Sequence, residues 1–225
     1  MNTAARPTPT QARSRRTEEA LIRSALRLFR ERGVDAVTTT DIAAAAGVAP
    51  ATVNRRFGDK STLVSEAFRV FVDETLAMLE SAAPLRVPPT RGKHMVGLSA
   101  EVTVVVMSFY RANQALLQSA YVRALSDDEF ATGLRRLRQH IRAMLRDQFL
   151  QHATEIGHPN PPLAIDFALS QAMAMLAARH EAARLEVDAI DERAFLRELL
   201  RSLLTYLAVP HTPAAIDAAL TARGL

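Results

Sequence analysis

Between Thr38 and Lys60 the chain gathers short polar and basic side chains at fixed spacing: Thr38, Thr39, Thr40 and Asp41, then Pro50, Ala51, Thr52, Asn54, Arg55 and Arg56, then Lys60. Hydroxyl, carboxamide and guanidinium groups in such a set are hydrogen-bond partners for phosphate oxygens and for the edges of bases. Small side chains at the start of a short helix let its N-terminus approach base edges, while arginines at its end meet guanine or phosphate. A Glu155-x-x-His158 pair has the spacing of a di-iron carboxylate motif, but it occurs once, contains Gly157 and stands just before Pro159 at a helix end. Coordination from two helices is therefore not supported, and neither a metal nor a cofactor is expected. No nucleophile elbow, glycine-rich phosphate loop or His-Glu-x-x-His motif is present, so nothing argues for an enzyme.

Positioning that polar set requires two short helices crossing at a tight turn. Thr38, with Asp41 three residues on, forms a variant capping box that starts a helix running through Ala46. Gly47-Val48 make the turn, and Pro50 stands at the first position of the next helix, which runs to about Phe57. A small residue, Ala43 or Ala46, is needed where the second helix passes, and Ile42, Val48, Val53 and Phe57 supply the inward face. Ahead of this pair, Leu21, Ile22, Ala25, Leu28 and Phe29 recur at helical spacing from Thr17 onward until Gly33 stops them. Behind it, Gly58 and Asp59 lead into a long helix from Lys60 to about Ala82, roughly 35 Å at 1.5 Å per residue. Residues 1–13 read as a flexible arm, residues 14–68 as the helix-turn-helix domain, and the proline-rich stretch 84–91 as the boundary of a second domain, 84–225. Beyond it the periodicity predicts helices near 92–110, 112–125, 127–156, 163–186, 191–208 and 213–223. The β-branched run Val102–Val106 would pass for a strand, but without a partner strand helix is the better reading.

Charge agrees with this division. Residues 1–60 carry 11 Lys/Arg against 6 Asp/Glu, whereas the remaining 165 carry 17 against 18, so the excess positive charge sits where a polyanion would dock. Cysteine is absent, which excludes disulfides and thiolate metal sites and suits a reducing cytosol. The first twenty residues hold four arginines and no apolar core of a secretory signal, and a cytoplasmic location is expected. The longest apolar runs are broken by charges before about 18 residues, so no membrane span is expected.

Residues 14–68 resemble the DNA-binding domain of TetR-type transcriptional regulators. The resemblance rests on Ala25, Phe29 and Gly33, on Thr38, Ile42, Ala43, Ala46, Gly47 and Val48, on Thr52 and Val53, and on Phe57, Lys60 and Leu63. It implies an all-α fold in which a three-helix domain is joined by the long helix to a helical bundle for ligand binding and dimerisation. By position it gives Thr40 a base or phosphate contact and Pro50 and Ala51 apolar contact with a thymine methyl. Thr52 and Lys60 are given phosphates, and Thr39 is counted among the candidate DNA-binding residues. The family usually has an aromatic where this chain has Asn54, so the family's contact does not carry over; Asn54 can pair with an adenine edge or meet phosphate. Arg13, Arg15 and Arg16 are expected to add phosphate or minor-groove contacts.

For residues 84–225 the resemblance implies a pocket for a largely apolar small molecule. Met107, Tyr110, Gln114, Tyr121, His140, Met144, Phe167, Gln171 and Met175 are candidate lining residues, although for any single methionine or ring packed core is the favoured reading. Phe195, Leu196, Leu199, Leu200, Leu203 and Leu207 make a broad apolar stripe, the candidate dimer interface. The expected partners are a palindromic double-stranded DNA operator, a second copy of the chain and a small effector that releases a repressor. The other reading is an effector-independent, nucleoid-associated DNA-binding dimer.

Overall fold

The computed structural model describes residues 9–81, 94–184 and 190–224, and every regular element among them is helical. The first helix, α1, spans Pro9–Arg32. It starts well before Thr17, so residues 9–13 of the expected arm are helical and only residues 1–8 lie outside the described residues. Gln11, Ala12 and the arginines that follow are good helix formers, and nothing between Pro9 and Thr17 breaks the helix. Gly33 ends it at φ +82°, its amide bonding the Phe29 carbonyl at 3.0 Å.

Contacts divide the chain into two units, residues 1–80 with 113–137, and residues 81–112 with 138–225. In the first, α1 is followed by α2 (Thr39–Ala45), α3 (Ala51–Phe57) and α4 (Lys60–Ser81). Leu21, Ala25, Leu28 and Phe29 of α1, Ile42 and Ala43 of α2, Val53 of α3 and Leu63, Ala67 and Phe68 of α4 are all buried. This unit also takes residues 113–137, which the sequence reading did not place with the N-terminal helices. Phe130 stacks on Phe68 at 4.7 Å, and a Cβ at Gly133 would come within 2.8 Å of the Phe68 ring. Arg30 donates to the Asn113 side-chain oxygen at 2.9 Å.

The second unit is built from parts of α5 (Met95–Arg123) and α6 (Asp128–Leu150), with α7 (Pro161–Arg184), α8 (Glu192–Tyr206) and α9 (Pro213–Thr221). The expected break near 111 does not exist, and α5 is one helix. The sequence from Arg111 to Asn113 contains neither Gly nor Pro, so the change of apolar pattern there marks a change of neighbours rather than of backbone. Val102–Val106 is helical, with Val102 buried. Its core joins Met95, Leu98 and Met107 of α5 to Leu145 and Phe149 of α6, Ile165 and Leu169 of α7, and Leu196, Leu203 and Leu204 of α8. By length and composition α5 and residues 161–179 of α7 could cross a membrane, a composition that a core helix shares.

Leu196, Leu199, Leu200, Leu203 and Leu207 are buried in their own unit, and Phe195 is half-buried against the Arg179 guanidinium, 5.0 Å from its ring centroid. The apolar stripe of α8 is thus covered by the chain itself, because α8 packs against both α7 and α9. Outward apolar side chains occur on α7, where Leu163, Phe167 and Met175 are 58%, 53% and 37% exposed, and also at Val105 of α5 and at Ile190 ahead of α8.

Candidate nucleic-acid interface

Both ends of α2 are fixed locally. The Thr38 hydroxyl accepts from the Asp41 amide at 3.1 Å, while the Asp41 carboxylate accepts from the Thr38 amide at 2.8 Å and its hydroxyl at 2.6 Å. These bonds from Thr38, side chain first and then backbone, hold the Asp41 carboxyl below its ordinary range. At the other end the amides of Gly47 and Val48 return to Ala44 and Ala43, with Gly47 at φ +68°. Buried Ala43 offers no side-chain bulk where the two helices meet, and Ile42, Val53 and Phe57 close the space beneath; Val48 is only half-buried.

This packing sets which side of α3 is free. Pro50 precedes the helix as its cap residue, one position earlier than expected. Ala51, Asn54 and Arg55 share one face at spacings of three and four residues, and all are exposed, as are Pro50 and Thr40. Thr52, Thr39 and Lys60 are half-buried at the flanks. Arg56 departs from the expected outward set. It lies three residues from Val53, on the inner flank, and its guanidinium bonds the Ser14 hydroxyl of α1, with Nε buried and unpartnered. Arg13, Arg15 and Arg16 are exposed, but on the helical body of α1 rather than on a free arm.

Gly58 ends α3 at φ +78°, a backbone region that side chains strain to adopt, and turns the chain into α4. The Asp59 carboxylate accepts from the Thr62 amide at 2.8 Å, and that bond holds its carboxyl below the ordinary value.

The candidate pocket residues differ in burial. Met107 and Tyr110 are buried, His140, Met144 and Gln171 half-buried, and Phe167 and Met175 exposed. Gln114 and Tyr121, both half-buried, belong to the first unit, whereas the other seven belong to the second. Phe167 packs against the Tyr206 ring of α8 at 5.0 Å. Sequence reasoning did not single out Arg223, whose guanidinium binds Glu101 at 2.6 Å and the carbonyls of Ala219 and Gly97. Nor did it pair Glu155 with His94; neither link crosses a sequence distance that periodicity can read.

Residues 21–67 match the family described as bacterial regulatory proteins, tetR family. No curated protein sequence matches the chain. Among solved structures, a TetR-family transcriptional regulator from Mesorhizobium loti is 19% identical, over 87% of this chain and 97% of that one, with a TM-score of 0.57. Salmonella enterica GusR is 22% identical over 92% of this chain and 100% of its own, with a TM-score of 0.54. A transcriptional regulator from Saccharomonospora viridis, solved in complex with choline, is 14% identical over 86% and 98%, with a TM-score of 0.60. At these identities the structures share the fold.

Proposed function

We propose that the chain is a DNA-binding transcriptional regulator of the tetR family, a reading supported by the match over residues 21–67 and the shared fold, and that it is a cytoplasmic homodimeric repressor of a palindromic operator. The observation that carries this reading is the exposed face Pro50, Ala51, Asn54 and Arg55, held outward by buried Ile42, Val53 and Phe57. In this reading the face enters the major groove, with Asn54 and Arg55 toward base edges and Thr40, Thr52 and Lys60 toward phosphates. One such helix reads few bases, so two copies about one helical turn apart read a palindrome. The second copy is proposed to dock on the outward face of α7, through Leu163, Phe167 and Met175, and not on the buried stripe of α8.

A small ligand held by the second unit is proposed to release the operator; the choline complex of a fold neighbour supports a ligand-binding role for such a bundle. Coupling of this kind is reciprocal, so operator DNA weakens ligand binding by the factor that ligand weakens DNA binding. A gel-shift titration of a palindrome selected from a random DNA pool tests the core claim. The expected result is a dimer-sized complex whose affinity falls steeply with salt. A pool that enriches no sequence, or a complex of one chain per site, would contradict the proposal.

A further inference from the structure

At the start of α5, three side chains that serve none of the roles above converge. His94 immediately precedes the helix, while His152 and Glu155 lie in and beside the short 3-10 turn Ala153–Glu155 that follows α6. Their ligand atoms lie within 4.8 Å of one another, and all three residues are half-buried. The two imidazoles stack at 4.6 Å, 17° from parallel, and both aim Nδ1 at one carboxylate oxygen: His94 at 3.2 Å and His152 at 3.9 Å from Glu155 Oε1.

We propose that His94, His152 and Glu155 bind one divalent transition-metal ion of the Zn²⁺ class. Two imidazole nitrogens and a carboxylate oxygen form a donor set that such borderline ions favour, and three protein ligands leave a fourth position for water or an added ligand. Tetrahedral bonds of about 2.0–2.2 Å place ligand atoms about 3.3–3.6 Å apart. The observed 3.2 and 3.9 Å straddle that spacing, and with all three ligand atoms within 4.8 Å of one another the two rings must turn to close on one ion. The carboxylate is also oriented in advance: it accepts from the His94 amide at 2.9 and 3.0 Å and from the Met95 amide at 3.0 Å. Burial pushes the Glu155 carboxyl up, but the Met95 and His94 amides outweigh it and keep the group ionised, as a ligand must be. Hydrogen bonding alone accounts for His94 but not for His152, whose nitrogen stands beyond hydrogen-bond reach of the oxygen it faces. His158, whose spacing from Glu155 was set aside in the sequence, takes no part: it accepts from the Asn160 amide and lies against the Tyr206 ring.

The test uses the full chain stripped of metal, titrated with Zn²⁺ against a chromogenic chelator, with thermal unfolding followed in parallel. One Zn²⁺ per chain and a rise in Tm with Zn²⁺ concentration are expected. His152→Ala and His94→Ala, which keep the Glu155 bonds to backbone amides, should each weaken binding by at least roughly 10–100-fold, the cost of losing even an outer-shell partner. His211→Ala, whose ring faces the Val209 carbonyl, should bind as the parent does. If an alanine variant does not fold, His152→Gln or His94→Gln reads the same loss. Stoichiometry near zero in the parent, or binding that survives the substitutions at both histidines, overturns the site and leaves Glu155 a cap of α5 alone. The outcome is independent of DNA binding.

Discussion

At the scale of single residues, two neighbouring arginines have different fates. Arg55 stands exposed beside Asn54, whereas Arg56 turns to Ser14 of α1. Arg55→Ala is therefore expected to weaken operator binding by about 1–3 kcal/mol and to relax specificity at one operator position, leaving Tm unchanged. A lost phosphate contact would instead reduce the slope of log affinity against log salt by about 1. Arg56→Ala is expected to lower stability by about 1 kcal/mol through the lost bond to Ser14. Salt-dependent gel shifts and chemical denaturation of both variants separate the two roles; a Tm loss confined to Arg55→Ala would reverse the assignment. Exposure of Pro50, Ala51, Asn54 and Arg55 was legible from the helical period, whereas Thr52, read outward with them, is half-buried. The inward turn of Arg56 was not, because a flank position points wherever a neighbouring helix offers a partner.

At the scale of elements, the helix-turn-helix is held by caps and glycines whose signals are local. Gly58 at φ +78° sets the direction in which α4 leaves α3, so Gly58→Ala is expected to cost about 1–3 kcal/mol, measured by denaturant unfolding, although nothing lies within 4 Å of its added methyl. An unchanged midpoint would show that the turn relaxes without strain. The caps also give a pH dependence. Asp41 and Asp59 have folded-state carboxyls held below their ordinary values, so more protons bind in the unfolded chain. Their stabilisation is complete above the ordinary carboxylate range and is lost as pH falls through the lowered folded values. Replacing both by Asn should flatten the acid side of a Tm–pH profile, and an unchanged acid slope would show that these caps do not govern it. The continuous course of α5 is the element that sequence reading missed, since one helix that changes partners along its length mimics two helices.

For the whole molecule, two apolar stripes compete for the role of dimer interface. Both α7 and α8 carry stripes, and burial separates them: α8 spends its leucines on its own unit, while α7 keeps Leu163, Phe167 and Met175 outward. Phe167→Glu is accordingly expected to shift the chain from dimer to monomer in sedimentation and to abolish tight operator binding while retaining helicity. Leu200→Glu should instead unfold the second unit, because it places a charge in a core where Leu200 is only 1% exposed. A folded Leu200→Glu monomer would restore the α8 stripe as the interface.

The sequence by itself determined the helical class, the helix-turn-helix and its capping box. These depend on residues a few positions apart, where steric preference and hydrogen-bond reach act without regard to the rest of the chain. Only the tertiary structure decided which apolar stripe is core and which is surface, that residues 113–137 pack with the N-terminal helices, and that Glu155 meets His94 across 61 residues of chain. Periodicity defines a face of a helix, but what covers that face is fixed by the packing of elements distant in sequence.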